Sequence, residues 1–243
     1  MIELVILGMG VGLLSGFFGI GGGTILVPLL LIFGYVMKEA IGISIVQMVF
    51  SSIYGSYLNH KKGSLDISLI SFIGIGGAFG AMLSGFIVTY VSDTILELLF
   101  LSFALFALTR LFSVTHEHTK QKKINKIYLV FIGIPLGALS MSIGVGGSIL
   151  LVPILVSFLY FPLKKATSAG LFFVVFSSIA GLISHSQQGS IDYESGIIIG
   201  LSSLLGVYVG VHLKDKIKTT LQRKMLAIFY LLIVAYLTQR III

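Results

Sequence analysis

The 243-residue chain has no cysteine, no tryptophan, only 4 prolines and a charged fraction of 10%. Each shortage closes a class. Without cysteine there is no disulfide framework, no thiolate metal site and no thiol nucleophile. A soluble domain carries about 25% charged residues, and a chain with less than half that share could not cover its surface in water. A disordered chain is excluded as well, because 56% of the residues are hydrophobic. What remains is a chain whose solvent is lipid, with a mean hydropathy of +1.08. The expectation is an all-α integral membrane protein in contact with the bilayer. Its 10 tyrosines take the interfacial role that tryptophan usually shares.

The basic excess, Lys+Arg 16 against Asp+Glu 9, falls in short clusters between apolar runs. That is topology charge rather than the continuous basic face a nucleic-acid partner needs. Met1-Ile2-Glu3 lacks the basic start of a secretory signal, so the first apolar segment is expected to stay in the protein.

The chain repeats itself. Gly19-Ile-Gly-Gly-Gly-Thr-Ile-Leu-Val-Pro28 returns as Gly144-Val-Gly-Gly-Ser-Ile-Leu-Leu-Val-Pro153, at an offset of 125. After one inserted residue, Val49-Phe-Ser-Ser-Ile53 meets Val175-Phe-Ser-Ser-Ile179, and Gly63-Ser-Leu-Asp66 meets Gly189-Ser-Ile-Asp192. Apolar helices share leucines by chance, but not polar and glycine landmarks in a fixed order. The organisation is therefore a first repeat (1–114), a basic linker (115–126) and a second repeat (127–243).

Each repeat reads as four apolar stretches: 2–36, 40–58, 67–91 and 94–114, then 127–162, 166–185, 193–213 and 220–239. The first of each set is too long for one span. At ~1.5 Å per residue, a helix of about 36 residues would reach roughly 54 Å, against a hydrocarbon core of ~30 Å. If all eight stretches crossed once, the basic residues would divide evenly between the two sides. If each long stretch is a hairpin returning to its side of origin, only Lys38 and Arg240 share the N-terminal side and the other fourteen lie opposite. The positive-inside rule selects the hairpins. The expected fold is two inverted-topology repeats, each a long glycine-broken helical hairpin plus three single-crossing helices, with both termini outside. Repeats of this kind with broken helices point to a transporter whose site lies near the midplane.

Both long stretches are interrupted at their glycine clusters, where helix is disfavoured. Unpaired backbone at that depth survives only inside protein or beside a wet cavity. The half-helices resuming at Thr24 and Ser148 would present free N–H groups and positive dipole ends to one small anion, with the hydroxyls as N-caps. The second stretches add Ser44, Gln47 and Ser51, on one helical face, and Thr167, Ser168 and Ser177 in the other repeat. The candidate substrate-binding set is thus Gly21, Gly22, Gly23, Thr24, Ser44, Gln47, Ser51, Gly146, Gly147, Ser148, Thr167, Ser168 and Ser177. The Gly8/Gly12/Gly16 and Gly206/Gly210 ladders read as close-packing positions. Asn59, His60 and His185 read as interfacial, and Asp66 and Asp192 as helix caps. No catalytic group, metal constellation or cofactor motif is visible. Apart from Glu97 and Arg110 near span ends, the only ionisable residue expected deep in a span is His212.

At these motifs the sequence resembles the TauE/SafE-type sulfite exporters, also described as toluene sulfonate uptake permeases. The resemblance rests on Gly16-Phe-Phe-Gly-Ile-Gly-Gly-Gly-Thr-Ile-Leu-Val-Pro28 with its copy at Gly144–Pro153, on Ala40–Ser44 and Ala166-Thr-Ser168, and on the Gly63-x-x-Asp66 and Gly189-x-x-Asp192 turns. It covers essentially the whole chain. It implies a carrier of small sulfur-containing or carboxylated anions in a bacterial or archaeal inner membrane. Where family members often carry Thr followed by Asn or Ser, the first copy has Ile43-Ser44 and the second Thr167-Ser168, so the substrate contacts are expected to be asymmetric. The alternatives are a passive anion channel with the same site chemistry, an intramembrane enzyme, and a non-transporting scaffold that leaves the breaks without a purpose.

Overall fold

The computed structural model describes residues 1–65, 67–113, 126–189 and 191–242. The 115–126 linker up to residue 125, and the expected cap Asp66, lie outside the described residues. Those described form helices and connecting turns, with no strand. In chain order the helices are α1 (Ile2–Phe18), α2 (Gly23–Ile32), α3 (Met37–Lys61), α4 (Ile67–Ala81), α5 (Ser84–Tyr90), α6 (Asp93–Ser113), α7 (Lys126–Ser142), α8 (Ser148–Phe158), α9 (Leu163–Ser186), α10 (Tyr193–Lys216) and α11 (Thr219–Ile242). Both over-long stretches are interrupted at their glycine clusters, between α1 and α2 and between α7 and α8. Five segments are long and apolar enough to cross a membrane: Met37–Lys61, Ile67–Tyr90, Leu163–Ser186, Tyr193–Lys216 and Thr219–Ile241.

Local chemistry explains the ends. Helix α1 stops where Gly19 turns left-handed at φ 66° and its N–H returns to the Ser15 carbonyl, an αL cap. Helix α9 starts after Pro162, and α10 after Asp192, whose carboxylate accepts from the Ser195 amide at 3.1 Å as expected.

Apolar side chains face outward as well as inward, and polar ones are buried among the core. Phe79, Phe86, Tyr90, Phe131, Leu205, Ile228 and Leu232 face outward, whereas Ser15, Ser44, Gln47, Ser51, Ser140, Ser148 and Ser177 are buried. An apolar exterior around buried polar side chains is the arrangement a lipid solvent selects. Among the five candidate spans, α3 and α9 are the most enclosed and α11 lies largely at the surface.

Backbones approach closely where glycine lets them. A Cβ at Gly8 or Gly16 of α1 would lie 2.6 Å from the Ile199 or Val207 carbonyl oxygen of α10, and one at Gly12 would overlap that of Ser203. The register rises together on both helices, so α1 and α10 are parallel. Their counterparts α4 and α7 pack the same way, with Gly76 against Val130, Gly80 against Ile134 and Gly137 against Gly77. Helix α3 also runs parallel to α10, with Val46 on Gly196 and Phe50 on Gly200. Helix α3 crosses α9 antiparallel, Gly55 meeting Leu171 and Asn59 meeting Ser168. The packing role read for the glycine ladders is therefore observed. Gly12→Ala is expected to cost about 1–3 kcal/mol by overpacking, read as a fall in Tm in detergent. Gly10→Ala, with nothing within 4 Å of the new methyl, leaves Tm unchanged.

Candidate functional site

The two breaks meet at the centre of the bundle between α3 and α9. Gly19 and Gly144, repeat equivalents, take φ 66° and 69°; Gly21 and Gly146, also equivalents, take 70° and 75°. These left-handed values are what let each chain leave one helix and enter the next within a few residues. A Cβ at Gly23 would overlap the Gly144 carbonyl oxygen, and one at Gly21 would lie 3.6 Å from Ser148 Oγ. Every residue from Ser15 to Pro28 and from Ser140 to Pro153 is buried, so the junction is closed to both faces.

Hydrogen bonding at the junction is lopsided. Ser44 Oγ donates to the Gly144 carbonyl at 2.9 Å, and Ser177 Oγ donates to the Gly146 carbonyl at 3.1 Å. Two carbonyls of the second break, those of Gly144 and Gly146, are thus already engaged. The first bonds of α2 run from the Ile25 and Leu26 amides to Gly22, and those of α8 from Leu150 and Leu151 to Gly147. That leaves the amides of Gly23, Thr24, Ser148 and Ile149 as the unpaired donors every helix start produces. Two fully buried side chains add to them. Gln47 and Ser148 are both 0% exposed, and neither Gln47 Oε1 and Nε2 nor Ser148 Oγ has a partner. Gln47 lies across Gly22, where its amide fills the space a side chain would need. An unpaired buried carboxamide costs about 1–3 kcal/mol per unmet group, which a bound ligand would recover.

The hydroxyls do not act as caps. The N-caps of α2 and α8 are Gly22 and Gly147, with no side-chain cap bond. Thr24 Oγ1 instead donates back to the Ile20 carbonyl at 3.2 Å, and Ser148 is the first helical residue with its hydroxyl free. Helix α2 begins two residues earlier than a Thr24 cap would give and α8 one residue earlier than a Ser148 cap, because Gly22 and Gly147 take the cap positions. Ser51 Oγ goes to its own helix at Met48, 3.4 Å away. Thr167 brings its backbone carbonyl against Gly19, while its hydroxyl bonds Lys164. Ser168 stands apart from the junction, bonded to Asn59 and Lys214.

Three positions escaped the sequence reading. Met48 and its repeat equivalent Val174 sit over Gly21 and Gly146, and Phe173, the equivalent of Gln47, lies across Gly147 as Gln47 lies across Gly22. Reading the offset of 126 position by position would have revealed Phe173, since it exposes where one repeat is polar and the other aromatic. Asn59 and His185 are buried rather than interfacial, each 1% exposed, while His60 stays at the surface. The buried cation of α10 is Lys214, 1% exposed, and not His212, which bonds Tyr208 on the outer side. Two residues separate them, and half a helical turn reverses the face.

Five apolar spans, an exposed apolar surface and polar side chains buried within an otherwise apolar core define a multi-pass membrane protein. The family model described as Sulfite exporter TauE/SafE matches residues 4–237, and the chain belongs to that family. Among similar proteins, Probable membrane transporter protein YdhB of Bacillus subtilis is 28% identical over 82% of this chain and 84% of its own length. Probable membrane transporter protein MJ0441 of Methanocaldococcus jannaschii is 29% identical over 92% of this chain and 90% of its own. No solved structure matches.

Proposed function

We propose that the protein is an alternating-access carrier of a small oxyanion, with sulfite or an organosulfonate as first candidates. The anion is held between Gly21–Thr24 and Gly146–Ser148. The observation that carries this is the unpaired Gln47 amide and Ser148 hydroxyl where the two breaks meet, with the Gly144 and Gly146 carbonyls already taken by Ser44 and Ser177. Donors in excess of acceptors suit an anion, and two positive helix ends supply the field. Membership of a sulfite exporter family and relatives named as membrane transporters support the reading. The closed junction favours a carrier over an open pore.

The two repeats, 1–114 and 127–243, are inverted with respect to one another. Helices α1 and α3 lie parallel to α10, and α4 is the counterpart that lies parallel to α7, while α3 and α9 are antiparallel. With α1 and α3 parallel, α2 leads the chain back to the side where α1 began. The basic loops then face the cytoplasm of a bacterial or archaeal inner membrane, with both termini outside.

Proteoliposomes loaded in turn with labelled sulfite, sulfonates and carboxylates test the activity. Saturable counterflow of at least one anion is expected; absence of anion-dependent flux in either direction ends the proposal, and ohmic single-channel currents make it a channel. For topology, single cysteines replacing Lys126 and Lys164 in this cysteine-free chain are both expected to resist an impermeant external reagent. Labelling of one but not the other contradicts the hairpins.

A further inference from the structure

Resting on that transport reading, we infer a second anion site built around Lys214, between the basic face and the glycine junction. Lys214 is 1% exposed, and its ammonium donates to Asn59 Oδ1 at 2.7 Å and to Ser168 Oγ at 2.8 Å. Both acceptors are neutral. The carboxylate next to it in sequence, Asp215, is paired with Lys62 at 2.6 Å, and among the described residues no acidic group is within ion-pair distance of Lys214. A buried ammonium without a counter-charge is costly. The third ammonium N–H and the Asn59 carboxamide nitrogen, also buried and without a partner, remain available to a ligand. These are donors without an acceptor, gathered around a positive charge.

The cluster is joined through Ser64 to a surface vestibule. Ser64 Oγ bonds the Asn59 carbonyl at 3.0 Å and lies 3.1 Å from Ser168 Oγ, and Ser64 lines a vestibule of about 420 Å³ with His60, Gly63 and Lys165. Lys164 and Lys62 are bonded to the Asp215 carbonyl and carboxylate, next in sequence to Lys214. Inward, Ser168 is two residues from Gly170, roughly 3 Å of helix rise. A Cβ at Gly170 would lie 2.7 Å from the Gly19 carbonyl oxygen of the first break. Along the axis of α9 the cluster therefore lies between the basic face and the level of the junction.

The equivalent positions of the first repeat and its partners do not reproduce this device. The repeat equivalents of Lys214, Ser168 and Asn59 are Val88, Gly42 and His185. At these positions one repeat thus holds a fixed charge for the anion and the other does not. The site receives the same small oxyanion that the junction carries and raises its local concentration at that end.

Equilibrium binding of labelled sulfite to purified protein separates the two sites. Wild type is expected to bind two equivalents. Lys214→Met loses one, and the Gln47→Ala/Ser148→Ala pair loses the other. Since Lys214 also ties three helices together, Lys214→Arg is measured beside it, with monodispersity as the check on folding; it is expected to keep the second equivalent. Two equivalents retained by Lys214→Met overturns the second site. One equivalent in wild type, lost with Gln47 and Ser148 but not with Lys214, overturns it while leaving the junction intact. One equivalent lost only with Lys214 overturns the junction and keeps this site.

Discussion

Gln47→Glu is expected to abolish sulfite-dependent flux while leaving the protein folded. The substitution keeps size and shape, so the packing over Gly22 is retained. It exchanges two donors for a carboxylate facing the bound anion. Two like charges about 4 Å apart repel by about 4 kcal/mol at an effective dielectric of ~20. That is a loss on the order of a thousandfold in affinity, before the lost hydrogen bond is counted. The sign of the effect is informative. A junction built for a cation would gain from the same change, so flux or binding that rises in Gln47→Glu would reverse the assignment. Gln47→Ala removes the donor without adding charge, and its smaller expected loss, roughly ten- to a hundredfold, follows from about 1.5–3 kcal/mol for a bond to a charged group. Flux and binding measured on both variants give the comparison.

The second large effect is at the break itself. Gly144→Ala is expected to eliminate transport and lower Tm, whereas Gly63→Ala does neither to the same degree. Both glycines are left-handed, at φ 69° and 67°, so a side chain suffers the same backbone strain of roughly 1–2 kcal/mol at either. Only their surroundings differ. A Cβ at Gly144 would meet Ser44 Oγ at 2.6 Å and the Ile41 backbone at 2.9 Å, while Gly63 has nothing within 4 Å. The difference between the two variants therefore isolates the close approach of the second break to α3. Overpacking adds about 1–3 kcal/mol there and pushes the Gly144 carbonyl off Ser44. Equal Tm and equal flux in the two variants would mean that the breaks do not depend on touching α3.

Much of this architecture is written in the chain. The duplicated glycine motifs located both interruptions, and the lengths of the apolar stretches located most helices to within a few residues, although the single crossing expected over 67–91 is divided at Met82 and Leu83 into α4 and α5. The glycine ladders announced which helices pack closely. What remained illegible was rotation about each helix axis. In water, an apolar stripe against a polar face tells which side is buried, but here lipid-facing and core-facing residues are alike apolar and the periodic signal disappears. Lys214 shows the consequence. By position it is one more basic residue at a span end, and only the packing of α10 against α3 and α9 turns it inward to Asn59 and Ser168. Ser51 and Ser177, repeat equivalents with identical side chains, show the same limit. One bonds its own helix and the other reaches the Gly146 carbonyl, because the second repeat brings its break against α9 at that level. The difference between Gln47 and Phe173 was in the sequence all along, but it acquires meaning only when each is seen lying across its own break.

The most direct measurement is a structure of the protein soaked with selenite, a scatterer with the shape and charge of sulfite. The anomalous peak is expected at the junction, within hydrogen-bonding distance of Gln47 Nε2 and Ser148 Oγ and facing the Gly23, Thr24, Ser148 and Ile149 amides. A second peak beside Lys214 is compatible with this result. Peaks elsewhere, with the junction still empty at a selenite concentration that saturates binding, would contradict it.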